Sequence, residues 1–156
     1  MLKIKNLRAS INEKIILDGI NLDIEDGSIH VIMGKNGTGK STICKILMGI
    51  KDYNIQGNIK YNEDELIGME TCNIAKKGLF LLNQNPIAVE GVTNAEMLRS
   101  ALNEKTGQPV NIFAFNKELE NICDDLELPK SFIHREINVG MSGGKKKKNE
   151  LLHMWI

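Results

Sequence analysis

The nine residues GKNGTGKST, from Gly34 to Thr42, carry the strongest structural signal in the chain. They fit the pattern G-x-x-x-x-G-K-[ST], whose last fixed positions are Lys40 and Ser41. An apolar, β-branched segment, SIHVIM at Ser28–Met33, precedes the loop and predicts a buried strand. A segment with apolar residues at helical spacing follows it. A strand, a glycine-rich loop and a helix in this order predict a phosphate-binding loop.

Each residue type in this loop has a physical reason to be there. Glycines let the backbone turn tightly, so that its N–H groups point inward at phosphate oxygens. The N-terminus of the following helix adds the positive end of its dipole. We expect Lys40 to reach the β- and γ-phosphates, the Ser41 hydroxyl to bind Mg²⁺ and Thr42 to bond the α-phosphate.

The composition excludes several classes of protein. The 156 residues are 42% hydrophobic with zero net charge, which predicts one domain or part of one and gives no electrostatic reason for a nucleic-acid partner. No apolar run approaches the roughly 20 residues of a membrane span, and the N-terminus has no signal-peptide core. Cys44, Cys72 and Cys123 are scattered, so we expect small buried side chains in a reducing cytoplasm.

Strand patterns dominate the first half of the chain. Leu2–Ser10 alternates apolar and polar residues, and the next strands are predicted to break at the turn dipeptides Asp18-Gly19 and Asp26-Gly27. The segment QGNIKYNEDEL (56–66) predicts a strand and a turn, and Leu79–Leu82 predicts a second short buried strand.

Helical patterns dominate the second half. Thr93 and Glu96 have the spacing of a capping box, and Gly107 ends that helix. A second amphipathic helix follows and is stopped by Pro129; we expect its aromatic pair, Phe113 and Phe115, to pack in the core. Together the two halves predict a mixed α/β nucleotide-binding core with a helical insertion.

Two later stretches add candidate site residues. Gln84 follows the predicted strand Leu79–Leu82, where it would bind Mg²⁺ or orient a water. Ser142-Gly143-Gly144 lies just before a predicted helix that begins near Lys145. A serine hydroxyl and backbone N–H groups at a helix N-terminus predict a second anion site.

Three segments resemble, in order and spacing, the Walker A, Q-loop and signature motifs of ABC-type ATPases: GKNGTGKST (34–42), LNQNP (82–86) and MSGGKKKKNE (141–150). The opening MLKIKNLRASINEKIILDGINLDI and the lysines before Asn149-Glu150 resemble the SufC family, the ATPases of iron–sulfur cluster assembly. The resemblance implies an α/β P-loop NTPase fold, an ABC-type ATP-binding domain with an antiparallel β portion and a helical subdomain. It also implies three parts: a core at about 1–92, the helical subdomain at about 93–130, and the signature motif and helix at about 138–156.

The resemblance also implies a site and its partners. Ser41 and Gln84 would hold Mg²⁺, and Gln84 would position water. The signature residues would touch the γ-phosphate of ATP on a second subunit, so the site would be complete only in an ATP-dependent head-to-tail dimer. The helical subdomain and Q-loop would contact SufB/SufD-like scaffold proteins, with no nucleic-acid partner and no membrane insertion. The implied nucleotide contacts are Gly34, Lys35, Asn36, Gly37, Thr38, Gly39, Lys40, Ser41, Thr42, Gln84, Ser142, Gly143 and Gly144.

The sequence departs from the family in three places. Lys145 stands where Gln or Glu often follows Ser-Gly-Gly, and the loop SINEK (10–14) has no aromatic residue to stack on adenine, only Ile11. The sequence contains no run of four apolar residues followed by Asp-Glu, so no Walker B motif or catalytic Glu is identified. His153 lies in the predicted signature helix and therefore does not occupy the switch position. We therefore expect the core sheet to be incomplete and the chain to lack the principal base for hydrolysis. We also expect the sequence to be a fragment of a longer ATPase, and the fragment to be unstable or to aggregate when it is expressed alone.

Two other functions use the same motifs. One is the ATP-binding subunit of a membrane transporter, which differs in having an integral-membrane partner. The other is a non-catalytic nucleotide binder, which would bind ATP without turning it over.

Overall fold

A computed structural model describes residues 1–155 of the chain. The chain forms two compact units, Met1–Leu81 and the part from Leu82 onward, and each is described by itself. The strands of the first unit are β1 (Leu2–Ile11), β2 (Lys14–Ile24), β3 (Asn54–Tyr61) and β4 (Asp64–Glu65), and its helices are α1 (Lys40–Leu47) and α2 (Thr71–Lys76). The second unit contains β5 (Val89–Thr93), α3 (Asn94–Thr106), α4 (Ile112–Asp125), a 3₁₀ helix (Lys130–His134), β6 (Glu136–Ile137) and α5 (Gly143–Met154).

The first unit is built on an antiparallel sheet in the order β2-β1-β3-β4. The β1–β2 hairpin turns at Asn12 and Glu13, which both have positive φ angles, as a tight hairpin turn requires. The predicted break at Asp18-Gly19 is wrong, because β2 continues through these residues with a register shift between Leu7/Ile20 and Ala9/Leu17. The glycine lets β2 form a bulge there, and the strand does not need to end. The second predicted turn, at Asp26-Gly27, is confirmed.

One face of this sheet and the helices α1 and α2 enclose the core of the first unit. The alternation predicted for β1 places Ile4, Leu7 and Ala9 in this core. Helix α1 contributes Ile43 and Ile46, as its predicted apolar face requires. The remaining buried members of the cluster are Leu17, Ile59, Leu66 and Ile74.

The two predicted buried strands next to the candidate site are wrong. Ser28–Met33 and Leu79–Leu82 lie outside every strand of the part of the chain that the structure describes. In the first segment the apolar side chains are exposed, Ile29 at 93% and Met33 at 85%. In the second, Phe80 and Leu82 are each 46% exposed, while Leu79 and Leu81 are half-buried. A buried strand needs neighbours on both edges and both faces, and within residues 1–155 no strand pairs with either segment. This arrangement agrees with the expected incomplete core sheet.

The second unit contains a small two-stranded sheet of β5 and β6, and its core is formed mainly by side chains of α3, α4, the 3₁₀ helix and α5. Helix α3 begins with the predicted capping box, in which the Thr93 side chain accepts from the Glu96 N–H and Glu96 reaches back to the Thr93 N–H. Helix α4 follows as predicted, with Phe115 buried at the end of its first turn. The core prediction for Phe113 is wrong: its side chain is 88% exposed. Because Phe113 lies two residues from Phe115, the two side chains project from different faces of the helix.

The cysteine prediction holds for only part of the set. Cys123 is fully buried in the core of the second unit, where burial raises the pKa of its thiol. Cys44 is half-buried and Cys72 is exposed, so the prediction of a buried side chain is wrong for Cys72. All three are free thiols.

Candidate functional site

The phosphate loop runs from Gly34 into helix α1, whose N-cap is Gly39. Gly39 has a φ of 87°, a left-handed conformation that favours glycine. A Cβ atom at this position would lie 2.6 Å from Leu17 Cδ2 and 3.1 Å from the Ile16 carbonyl oxygen. Any larger residue would therefore push the loop away from β2, and glycine is required here by both the backbone angle and the space.

The Lys40 side chain folds back over the loop. Its ammonium group donates to the carbonyl oxygens of Gly34 at 2.8 Å and Lys35 at 2.7 Å. The Thr38 hydroxyl also donates to the Lys35 carbonyl, at 2.9 Å. These bonds hold the loop as a curved strip with a positive charge at its centre, the arrangement that suits an anionic ligand.

The start of α1 adds to this positive potential. The Gly39 carbonyl oxygen accepts from the N–H groups of Thr42 and Ile43, which begins the helix, and no acidic residue lies in its first turn. Ser41 is exposed and Thr42 is half-buried. The positive end of the helix dipole and the Lys40 ammonium thus lie at one end of the first unit, together with the predicted hydroxyl residues.

Gln84 lies in the second unit, in an irregular loop that we call the polar loop, residues 83–87. The Gln84 side chain is exposed. The ends of the polar loop are held from elsewhere in the unit: Asn83 N–H donates to Glu150 Oε2 at 3.3 Å, and the Ile87 carbonyl accepts from Asn138 Nδ2 at 2.9 Å. The structure thus presents Gln84 on a short exposed segment with fixed ends.

Ser142 is the N-cap residue of α5. Its hydroxyl makes no capping hydrogen bond, and Ser142, Gly143 and Gly144 are all exposed. The first turn of α5 contains no acidic residue, and the exposed Lys145 follows directly. An uncommitted hydroxyl, a helix N-terminus and an adjacent lysine form a second exposed position suited to an anion.

Sequence reasoning missed a buried polar contact in the second unit. Asn94 is fully buried, and its Nδ2 donates to the Phe132 carbonyl at 2.9 Å and the Arg135 carbonyl at 3.3 Å. This orientation leaves Asn94 Oδ1 facing His153 Nε2, at 2.8 Å, so the histidine donates from Nε2. Burial lowers the pKa of His153 to about 4, which keeps the ring neutral near pH 7. His153 lies in α5, as predicted, where it joins this helix to the start of α3.

The described residues, 1–155, contain no group of three or more His, Cys, Asp or Glu side chains able to hold a metal ion. The predicted magnesium ligands, Ser41 and Gln84, belong to the first and second units respectively. Their shared metal site stays a prediction from the sequence. Within the same described range, no helix is both long and apolar enough to cross a membrane.

Comparison with known proteins extends these observations. Residues 17–156 match the family model described as ABC transporter. The chain is 41% identical to the probable ATP-dependent transporter ycf16 of Antithamnion sp. over 99% of its length, and 36% identical to the probable ATP-dependent transporter SufC of Escherichia coli K12 over all of it. It spans 63% and 65% of the length of these two relatives. These likenesses confirm the predicted resemblance to the SufC family.

The fold also matches solved structures. A dimeric post-hydrolysis structure of the ATP-binding cassette MJ0796, bound to ADP and Pi, superimposes with a TM-score of 0.77 at 23% identity. The match covers 99% of this chain and 68% of that one. At this identity the likeness shows the fold alone, and it confirms the predicted α/β fold class with an antiparallel β portion and a helical part.

Proposed function

The chain belongs to the ABC transporter family, and from this premise we propose that it is the ATP-binding part of a SufC-like ATPase of iron–sulfur cluster assembly. The observation that carries the proposal is the phosphate loop, in which the Lys40 ammonium lies over the carbonyls of Gly34 and Lys35 at the positive end of α1. The relative from Escherichia coli K12 that is named SufC supports the assignment within the family.

The loop supports ATP as the ligand for an electrostatic reason. A phosphate oxygen carries more negative charge than a peptide carbonyl, so it is the stronger acceptor for an ammonium group. We expect Lys40 to leave its two carbonyl partners when the β- and γ-phosphates enter the loop. The exposed hydroxyl of Ser41 is then available to Mg²⁺, which takes oxygen ligands. The remaining phosphate contacts in the proposal are Lys35, Asn36, Gly37, Thr38, Gly39 and Thr42.

The proposal includes a head-to-tail dimer. The Ser142 hydroxyl is not used to cap its own helix, which supports a role for Ser142, Gly143 and Gly144 in touching the γ-phosphate of ATP bound to a second copy. The solved cassette MJ0796 is dimeric and holds ADP and Pi. Gln84 completes the proposed set as a magnesium or water ligand; the loss of Mg²⁺-dependent affinity in Gln84→Ala would test this role.

The proposed partners are SufB/SufD-like scaffold proteins. The segment at about 93–130, proposed as the helical subdomain, exposes Ile112 and Phe113 at the start of α4, which offers apolar area to a partner. The proposal places the protein in the cytoplasm, where its free cysteines stay reduced.

A second candidate function is the ATP-binding subunit of a membrane transporter. The family description and the names of both relatives include the word transporter, which favours it. Affinity purification from the source separates the two: co-purification of a scaffold protein supports the first function, and of an integral-membrane permease the second.

The nucleotide proposal is tested by ATP titration of the 156-residue chain and of Lys40→Ala. Loss of the charge-assisted contacts is expected to weaken ATP binding by about 10- to 100-fold. Lys45→Ala is the matched control, because Lys45 lies at the other end of the same helix and is exposed. Equal affinity in both variants, or no binding by the parent chain, would overturn the proposal.

A further inference from the structure

Helix α5 holds the polar loop, residues 83–87, directly at its first end and through Asn138 at its second end. At the first end, Glu150 Oε2 accepts from the Asn83 N–H at 3.3 Å. At the second end, Asn138 Nδ2 donates to the Ile87 carbonyl at 2.9 Å, and Asn138 Oδ1 accepts from Asn149 Nδ2 at 3.1 Å. Glu150 therefore holds the backbone before Gln84 directly, and Asn149 holds the backbone after it through Asn138.

The burial of these polar groups indicates that the contacts matter. Asn138 and Asn149 are 1% and 0% exposed, and Glu150 is 8% exposed. Asn149 Oδ1 is buried and has no hydrogen-bond partner within residues 1–155. Burying polar and charged groups costs free energy that apolar side chains at the same positions would not cost. A helix that only needed to pack would place apolar residues at 149 and 150, as it does at the neighbouring Leu152.

Between these two anchors the polar loop is largely exposed and has no regular secondary structure to fix its backbone. Asn83, Gln84 and Asn85 are all exposed, and the segment belongs to no helix or strand. The backbone direction at Gln84 therefore depends on the anchors at its ends.

We propose that Glu150, directly, and Asn149, through Asn138, are positioning residues that set the place of Gln84. The link to ligand binding rests on the proposed function, which assigns Gln84 to Mg²⁺ or water. The anchoring itself rests only on the contacts of Glu150 and Asn149.

The first measurement follows the anchored backbone directly. Amide hydrogen exchange at Asn83 and Gln84 is measured by NMR in the 156-residue chain and in Glu150→Met, which keeps the length of the side chain but removes the acceptor. Loss of this bond is expected to speed exchange at Asn83 about tenfold. Glu150→Gln keeps an acceptor oxygen and is expected to restore slow exchange. An unchanged Asn83 rate in Glu150→Met would overturn the proposal.

Two further variants serve as a control and as a replacement for Glu150→Met in this measurement. Glu118→Met makes the same substitution at an exposed position of α4 and is expected to leave exchange at Asn83 unchanged. Glu150→Asp keeps the charge but withdraws the carboxylate by one methylene, so it replaces Glu150→Met if that variant does not fold. Fast exchange at Asn83 in Glu150→Asp supports the anchoring, and slow exchange overturns it.

The second measurement separates positioning from a purely structural role. ATP affinity is measured with and without Mg²⁺ in the parent chain, Glu150→Met and Gln84→Ala. Positioning predicts that both variants lose the Mg²⁺-dependent gain in affinity to a similar extent, with affinity in the absence of Mg²⁺ unchanged. An equal loss with and without Mg²⁺ in Glu150→Met would overturn it. If the parent chain binds no ATP, the proposed function fails, and amide exchange at Asn83 still decides the anchoring.

Discussion

Strand β1 and the segment Ser28–Met33 are both rich in apolar residues, yet the apolar side chains of β1 are buried or half-buried and those of the second segment are exposed. In β1, Ile4 and Leu7 are 1% and 0% exposed; in the second segment, Ile29 and Met33 are 93% and 85% exposed. β1 lies between β2 and β3, which supply hydrogen-bond partners on both edges, and α1 packs against the same core. No strand within residues 1–155 pairs with Ser28–Met33.

The comparison shows that an apolar segment is buried only where other strands and side chains are present to pack against it. Burial of Leu7 contributes because other side chains and backbone groups surround it. An apolar side chain without packing neighbours does not stabilise the fold, and its exposed apolar surface favours aggregation. Three predictions test this difference, starting with the largest effect.

The largest effect is expected for Leu7→Ala. Removal of a fully buried leucine leaves a cavity in the first unit and is expected to cost about 2–5 kcal/mol of unfolding free energy. Ile29→Ala is the matched substitution in the exposed segment and is expected to change the unfolding free energy by less than about 0.5 kcal/mol. Urea denaturation followed by circular dichroism measures both.

A large loss in Ile29→Ala would break the comparison, because it would mean that Ile29 has neighbours in solution. Sedimentation over a range of concentrations then shows whether a second copy supplies them. Self-association that is relieved by Ile29→Lys would agree with the expectation that the chain aggregates when expressed alone.

The next effect is the pH dependence of the unfolding free energy that comes from the buried polar residue His153. Its pKa is about 4 in the folded chain and near 6.5 when unfolded, so above pH 6.5 both states are neutral and there is no effect. As the pH falls from 6.5 to 4, the unfolded state binds the proton first and the folded state loses about 3 kcal/mol relative to it. Urea midpoints between pH 7.5 and 4 measure this loss.

His153→Gln is the control for that experiment, because Gln can still donate to Asn94 Oδ1 but does not titrate. The other groups titrate alike in both proteins, so only the difference between the two pH profiles belongs to His153. Parallel profiles would show that the ring takes up its proton as easily in the folded chain as in the unfolded one.

The smallest effect concerns the capping box at the start of α3. Thr93→Ala removes the side-chain oxygen that accepts from Glu96 N–H and is expected to cost about 1 kcal/mol. Ser100→Ala, which removes a hydroxyl from an exposed position within the same helix, is expected to be neutral or slightly stabilising. Equal urea midpoints for the two variants would mean that the capping bonds add nothing.

The sequence predicted those features whose cause lies within a few residues. The capping box at Thr93, the amphipathic helix before Pro129 and the turn at Asp26-Gly27 each depend on a local pattern, and each is confirmed. The predicted break at Asp18-Gly19 failed because the opposing strand accommodates the glycine as a bulge. The core prediction for Phe113 is wrong because the helix face, and not the aromatic ring alone, decides burial, and Phe113 lies on the exposed face of α4.

In the candidate site, too, features set by neighbouring residues were predicted and contacts between distant residues were missed. The loop before α1 was predicted because strong local rules govern glycines that precede a helix. The contact between Glu150 and Asn83 was missed, since these residues are 67 positions apart and no periodicity joins them. The one available signal was the pair Asn149-Glu150, polar residues on the buried face of α5.

The close approach of Gly39 to Leu17 makes the hairpin a support for the loop before α1. The loop rests on β2 with no room for even a methyl group at position 39, so the volume of the Leu17 side chain sets the distance of the loop from the sheet. A substitution at Leu17 alters the hydrophobic core and also shifts the backbone N–H groups of the loop. If the loop binds phosphate as proposed, we expect substitutions at Leu17 to change the affinity although Leu17 touches no phosphate in the proposed site.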